Sequence, residues 1–158
     1  MGLDSYLQAR KTVSQIDYIK GEATINEDYA SLTALVAPDL DKFGEYKSIT
    51  VSTQSAYWRK ANQIHVWFVD NVQEGEDDCG EHWVKPTQLQ ELLDLCKQVV
   101  NDPLQAEDLL PTGEGFFFGS DAYDEYYFEQ IQYTIEVLEH LLDNAYTTDY
   151  DFYYHSSW

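Results

Sequence analysis

The sequence predicts a single α+β domain over residues 1–158, with three to four helices packed on a small, mostly antiparallel sheet. Three observations carry that expectation. The chain is 44% hydrophobic and 15% aromatic over 158 residues, enough to bury about two thirds of the surface an unfolded chain exposes. Long segments repeat apolar residues at helical spacing. Shorter runs are rich in β-branched and aromatic residues.

The elements follow in order. Val13 to Lys20 and Tyr46 to Ser52 read as strands, and Asp28 to Val36 as one or two helical turns ended by Pro38. Tyr57, Ala61, Ile64, Phe68 and Val72 fall at i, i+4, i+7, i+11 and i+15, which predicts a helix from about Ser55 to Val72. The acidic run Glu74 to Asp78, with Gly75, opens a loop. A second helix starts near Pro86, where Thr87 and Gln90 have capping-box spacing; it buries Leu89, Leu92, Leu93, Cys96, Val99 and Val100. Asp102 followed by Pro103 reads as an N-cap and first helical position, starting a short helix that ends before Pro111. Phe116 to Phe118, between Gly115 and Gly119, form a short strand or a tight buried loop. Ser120 or Asp121 caps the longest helix, which runs to about Asp143 with Phe128, Ile131, Ile135, Leu138 and Leu142 inward. Tyr150 to Trp158 shows no helical stripe and reads as a strand or extended segment.

Charge limits the partners. The chain has 29 acidic residues against 9 Lys and Arg, a formal charge of −20, and carries no Lys or Arg after Lys97. A folded surface of that sign repels nucleic acid and anionic membranes and attracts cations. Direct nucleic-acid binding by the acidic surface is therefore not expected. Neither is a membrane role, since no run reaches the roughly 18 apolar residues of a membrane span. No signal peptide is visible, and Cys79 and Cys96 are too few for a disulfide framework. These features point to the cytoplasm. Trp158 points to a packed chain end, including against a second copy in a homo-oligomer.

Three constellations bear on chemistry. On the expected first long helix, Trp58, Asn62 and His65 share a flank, with Arg59 and Lys60 beside them. An aromatic plane, an amide, an imidazole and two cations suit a flat anionic ligand such as a nucleotide: Arg grips phosphate, Trp stacks, Asn reads a hydrogen-bonding edge. Phe117 and Tyr126 would supply a second stacking wall. The competing reading packs Trp58 and His65 at the core edge and pairs Arg59 and Lys60 with nearby acids. In Glu76 to Trp83, Cys79 and His82 have half the spacing of a zinc site but lack a second close pair. Carboxylates beside Cys79 would raise its pKa, against a nucleophilic role. No catalytic residue, metal site or cofactor is assigned. Third, Asp121, Glu125, Glu129 and Glu136 lie on roughly one stripe of the longest helix, either a solvated face or a partner-binding surface.

Several segments together, Met1-Gly-Leu-Asp-Ser-Tyr-Leu7, Tyr57-Trp-Arg-Lys-Ala-Asn-Gln-Ile-His65 with Trp67-Phe-Val-Asp-Asn71, Asp77-Asp-Cys-Gly80, Leu109-Leu-Pro-Thr112, Gly115-Phe-Phe-Phe-Gly-Ser120 and Tyr123-Asp-Glu-Tyr126, resemble a family of small acidic proteins encoded by bacteriophages and some bacteria. The resemblance implies a phage accessory protein acting on a host process, counter-defence included.

Three functions follow as expectations. The first is a non-enzymatic binder that sequesters an anionic small molecule, such as a nucleotide immune signal, through Trp58, Arg59, Lys60, Asn62 and His65. The second is an acidic, DNA-mimic-type inhibitor of a host nuclease or defence complex. The third is a metal-assisted hydrolase using carboxylates and His65.

Overall fold

The computed structural model describes residues 2–19, 22–36, 48–113, 115, 118–143 and 149–158. Its strands and helices, in order, are β1 (Asp4–Ser14), β2 (Ile16–Ile19), β3 (Glu22–Ile25), α1 (Glu27–Val36), β4 (Ser48–Arg59), α2 (Asn62–Asn71), β5 (His82–Val84), α3 (Pro86–Asn101), α4 (Ala106–Leu109), α5 (Glu125–Leu141) and β6 (Asp151–Ser157). The α+β class is as expected. One sheet has the order β4-β1-β6-β5, and β2 with β3 forms a second.

The chain divides into two compact units, residues 10–52 and the remainder. In the smaller, β2 and β3 pair antiparallel with Ile16 opposite Ile25 and Asp17 opposite Thr24. Asn26 joins this hairpin to α1. Its Nδ2 donates to Asp17 at 2.7 Å, and its Oδ1 accepts from the Tyr29 N–H at 3.0 Å, capping the helix. Thr12 and Thr50 hydroxyls meet at 2.9 Å.

The larger unit holds the main core. β6 pairs antiparallel with β5, with Trp83 opposite Tyr153. Phe152, Tyr154 and Ser156 are buried while their neighbours are partly or fully exposed, the two-residue alternation of a strand with one buried face. Strand β1 alternates likewise, with Leu3 preceding it and Ser5, Leu7 and Ala9 inward. The amphipathic helices α3 and α5 pack on each other, burying Leu89, Leu92, Cys96 and Val99 from one and Ile131, Ile135 and Leu138 from the other. Each fully buried Leu or Ile contributes about 1.5–3 kcal/mol. Val100, expected inward, is exposed.

Helix ends differ from expectation in detail. The cap of α3 falls two residues earlier than Thr87 and Gln90 and uses one side chain: Gln88 Oε1 accepts from the Lys85 N–H at 3.0 Å. Asp124, rather than Ser120 or Asp121, caps α5 by accepting from Tyr127 N–H. Asp102 does cap the turn at Pro103–Gln105, accepting from Leu104 N–H.

The larger correction concerns Ser55 to Val72. Residues 55–59 finish strand β4, Lys60 turns the chain at φ 57°, and only Asn62–Asn71 is helical. Ala56 and Trp58 are buried while Tyr57 and Arg59 are exposed, a period of two that the helical stripe of apolar residues had concealed. β-propensity decides little until cross-strand neighbours are present. Among the described residues no helix is long and apolar enough to cross a membrane.

Candidate functional site

The strand–turn–helix break separates the residues that one helix flank would have gathered. Trp58 and Arg59 are consecutive in β4, so their side chains leave opposite faces of the strand. Trp58 is fully buried. Its indole N–H donates to Thr134 Oγ1 at 2.9 Å, and the ring packs against Phe68 and edge-on to Tyr133. Arg59 and Lys60 remain in solvent, and among the described residues neither forms an ion pair. The indole therefore forms no stacking wall beside the cations.

Asn62 is also inside. Its Nδ2 donates to the carbonyls of Phe118 and Ser120 at 3.2 and 2.8 Å, and its Oδ1 accepts from Gly113 N–H at 3.2 Å. One amide thus clamps the loop before α5 onto the start of α2. Gly119 in that loop takes φ 94° beside Lys60, whose Cβ would lie 3.0 Å from an added methyl group; only glycine adopts both features cheaply. Tyr126 donates its hydroxyl to the Arg59 carbonyl. Partial burial pushes its phenol above the usual pKa, with Arg59 opposing. Phe117 lies outside the described residues.

His65 is 1% exposed. Nε2 lies 2.9 Å from Asp77 Oδ2, and Nδ1 lies 2.8 Å from the Tyr154 hydroxyl, which in turn lies 3.0 Å from Ser5 Oγ. Trp158 donates its indole N–H to the other Asp77 oxygen at 3.1 Å. A carboxylate–imidazole pair can orient a general base. Here the second nitrogen meets a phenol whose pKa burial drives upward, the wrong direction for a nucleophile. The network ties β1, α2, the loop before β5, and β6. Sequence reasoning missed Tyr154 and Ser5, because both lie in strands far from His65 along the chain.

The acidic loop is organised by its own side chains. Asp78 Oδ1 accepts from Gly80 N–H at 2.7 Å and lies 2.9 Å from His82 Nε2. The His82 contact, then the Gly80 N–H, hold the Asp78 carboxyl below the usual carboxylate range. Cys79 is exposed, and Cys96 is buried with its thiol pushed up to about 12 by desolvation.

Helix α5 is the contrasting surface. Glu125, Glu129 and Glu136 are exposed, as is Asp121 just before it, on a helix fixed from beneath by Ile131, Ile135 and Leu138. Glu136 accepts from the Gln132 amide at 3.3 Å. Among the described residues none of these four carboxylates forms an ion pair, whereas the neighbouring Glu139 pairs with Lys97 at 2.8 Å. Beside the stripe is a groove of about 420 Å³. Thr53 and Ser55 of β4 form one wall, and Tyr133, Glu136 and Val137 of α5 the other.

No family model matches this chain, and no curated protein or solved structure matches it. Of the residues singled out in the sequence, the structure brings Trp58, Asn62 and His65 into the core and leaves Arg59, Lys60, Asp121, Glu125, Glu129 and Glu136 outside.

Proposed function

We propose that this is a non-enzymatic, protein-binding inhibitor whose partner surface is the acidic face of α5. It takes the place of nucleic acid on a basic host protein. The observation supporting this reading is the exposed row of Glu125, Glu129 and Glu136, without ion pairs among the described residues, on a helix anchored by its buried side. A rigid row of carboxylates loses little conformational freedom on binding and steers a cationic partner during encounter.

The magnitudes define the partner. At about 1.5 Å per residue, Glu125 and Glu136 stand roughly 16 Å apart along the axis. Duplex DNA presents a charge about every 1.7 Å. The helix imitates a few phosphate positions rather than a whole duplex, so a basic cleft that grips phosphates at separated points fits it. The sequence resemblance supports a phage-encoded accessory protein acting on a host process, counter-defence included.

The test is the triple reversal Glu125→Lys, Glu129→Lys, Glu136→Lys in a protein recovered from the host with its bound partner. Expected outcomes are loss of that partner and, for the wild type, association that slows steeply with salt. A partner retained by the triple variant, or binding insensitive to salt, rules the reading out.

The exposed Arg59–Lys60 turn favours a second reading, capture of an anionic small molecule with Tyr126 beside it. A nucleotide that raises the melting temperature of the wild type but not of Arg59→Ala would support it. A panel that shifts neither would remove it.

A further inference from the structure

We infer that the groove between β4 and α5 takes an extended, basic segment of a protein partner, added to the outer side of β4 as a further strand. This rests on the reading of α5 as the partner-binding face and names what that face holds.

Strand β4 is at the end of the sheet order, and among the described residues no strand pairs with its outer side. From Ser48 to Trp58 it contains no charged residue and no proline. Natural edges usually carry such residues to prevent pairing with other chains. The Tyr57 N–H donates to the Tyr133 hydroxyl of α5 at 3.2 Å, so its backbone points away from β1 and toward the helix. Backbone direction alternates along a strand, which aims the Ser55 and Thr53 amides the same way. Both residues line the groove.

The groove's size and chemistry select the occupant. About 420 Å³ lies within the range of a ligand pocket and accommodates a few side chains. Ala9, Val137 and Leu141 make part of its lining apolar, and Glu136 sets a carboxylate in the wall. An anionic segment is repelled. A second copy of this chain would bring −20 against −20. An extended segment that alternates aliphatic and Arg or Lys side chains matches the edge, the apolar lining and the carboxylate together.

The probe is a blocked hexapeptide alternating valine and arginine, with an equal-charge control in which proline replaces each valine. Proline removes the amide donors that strand pairing needs. The valine peptide is expected to bind about tenfold or more tightly than the proline peptide and to slow amide exchange at Thr53 and Ser55. Ser55→Pro is expected to abolish that preference. Should this variant fail to fold, Val137→Lys tests the same groove from the helix side. Equal affinity for the two peptides, with perturbations confined to Glu125 and Glu129, overturns the strand inference and leaves the acidic-face reading standing. Loss of partner capture in the triple Glu→Lys variant but not in Val137→Lys has the same meaning. Groove binding of the valine peptide that is indifferent to salt and to Glu125→Lys with Glu129→Lys removes the acidic-face reading on which the inference rests. A concentration-dependent dimer lost in Val137→Lys overturns the inference in favour of a second copy.

Discussion

His65 and Asp77 face each other at 2.9 Å, joining helix α2 to the acidic loop that precedes β5. Because a carboxylate only accepts, Nε2 carries the hydrogen of this contact. The opposite nitrogen reaches Tyr154, so one buried imidazole holds the loop and the last strand in place.

Tyr154→Phe tests that role. It leaves His65 Nδ1 and Ser5 Oγ without the hydroxyl they share, in a site where His65 and Ser5 are each 1% exposed. Stranding buried polar groups costs about 1–3 kcal/mol. The unfolding free energy is expected to fall by that amount, seen as a lower denaturant midpoint with an unchanged slope. A midpoint equal to wild type would show that the network adds nothing to the fold.

Asn62→Ala removes all three hydrogen bonds of the loop clamp, to Gly113, Phe118 and Ser120. A loss of about 2–4 kcal/mol is expected, with proteolytic cleavage appearing between residues 113 and 120 before global unfolding. Asn62→Asp should behave similarly, since a carboxylate cannot donate to the two carbonyls. Wild-type protease resistance in both variants would contradict the clamp.

Alkaline pH provides a third check. Burial raises the phenols of Tyr127 and Tyr154 above 10.0 and the thiol of Cys96 from 9.0 to about 12. These groups are neutral in the fold and ionise more readily once unfolded. Their stabilisation is complete below the unfolded values and is lost as pH rises through the folded ones. The melting temperature is expected to hold up to about pH 9 and to decline beyond 10, with the phenolate signals of Tyr127 and Tyr154 appearing only as unfolding occurs. Gradual phenolate formation by Tyr127 and Tyr154 in the folded protein near 10 would oppose this.

The sequence by itself determined the α+β class, the helices α3 and α5, and the acidic row. Each depends on periodicity or composition within one segment: Leu89, Leu92, Cys96 and Val99 mark one buried stripe, and Ile131, Ile135 and Leu138 another. Glu125, Glu129 and Glu136 are exposed because that buried stripe turns them outward. Only the tertiary structure decided the fate of Trp58, Asn62 and His65. Their partners are Thr134, Phe118, Ser120 and Tyr154, 56 to 89 residues away, and no local pattern encodes such pairings. Residues 55–59 could satisfy either a helical stripe or a strand alternation. Pairing with β1 and burial of the Trp58 indole against α5 selected the strand, because a large aromatic ring and its N–H are satisfied together only there.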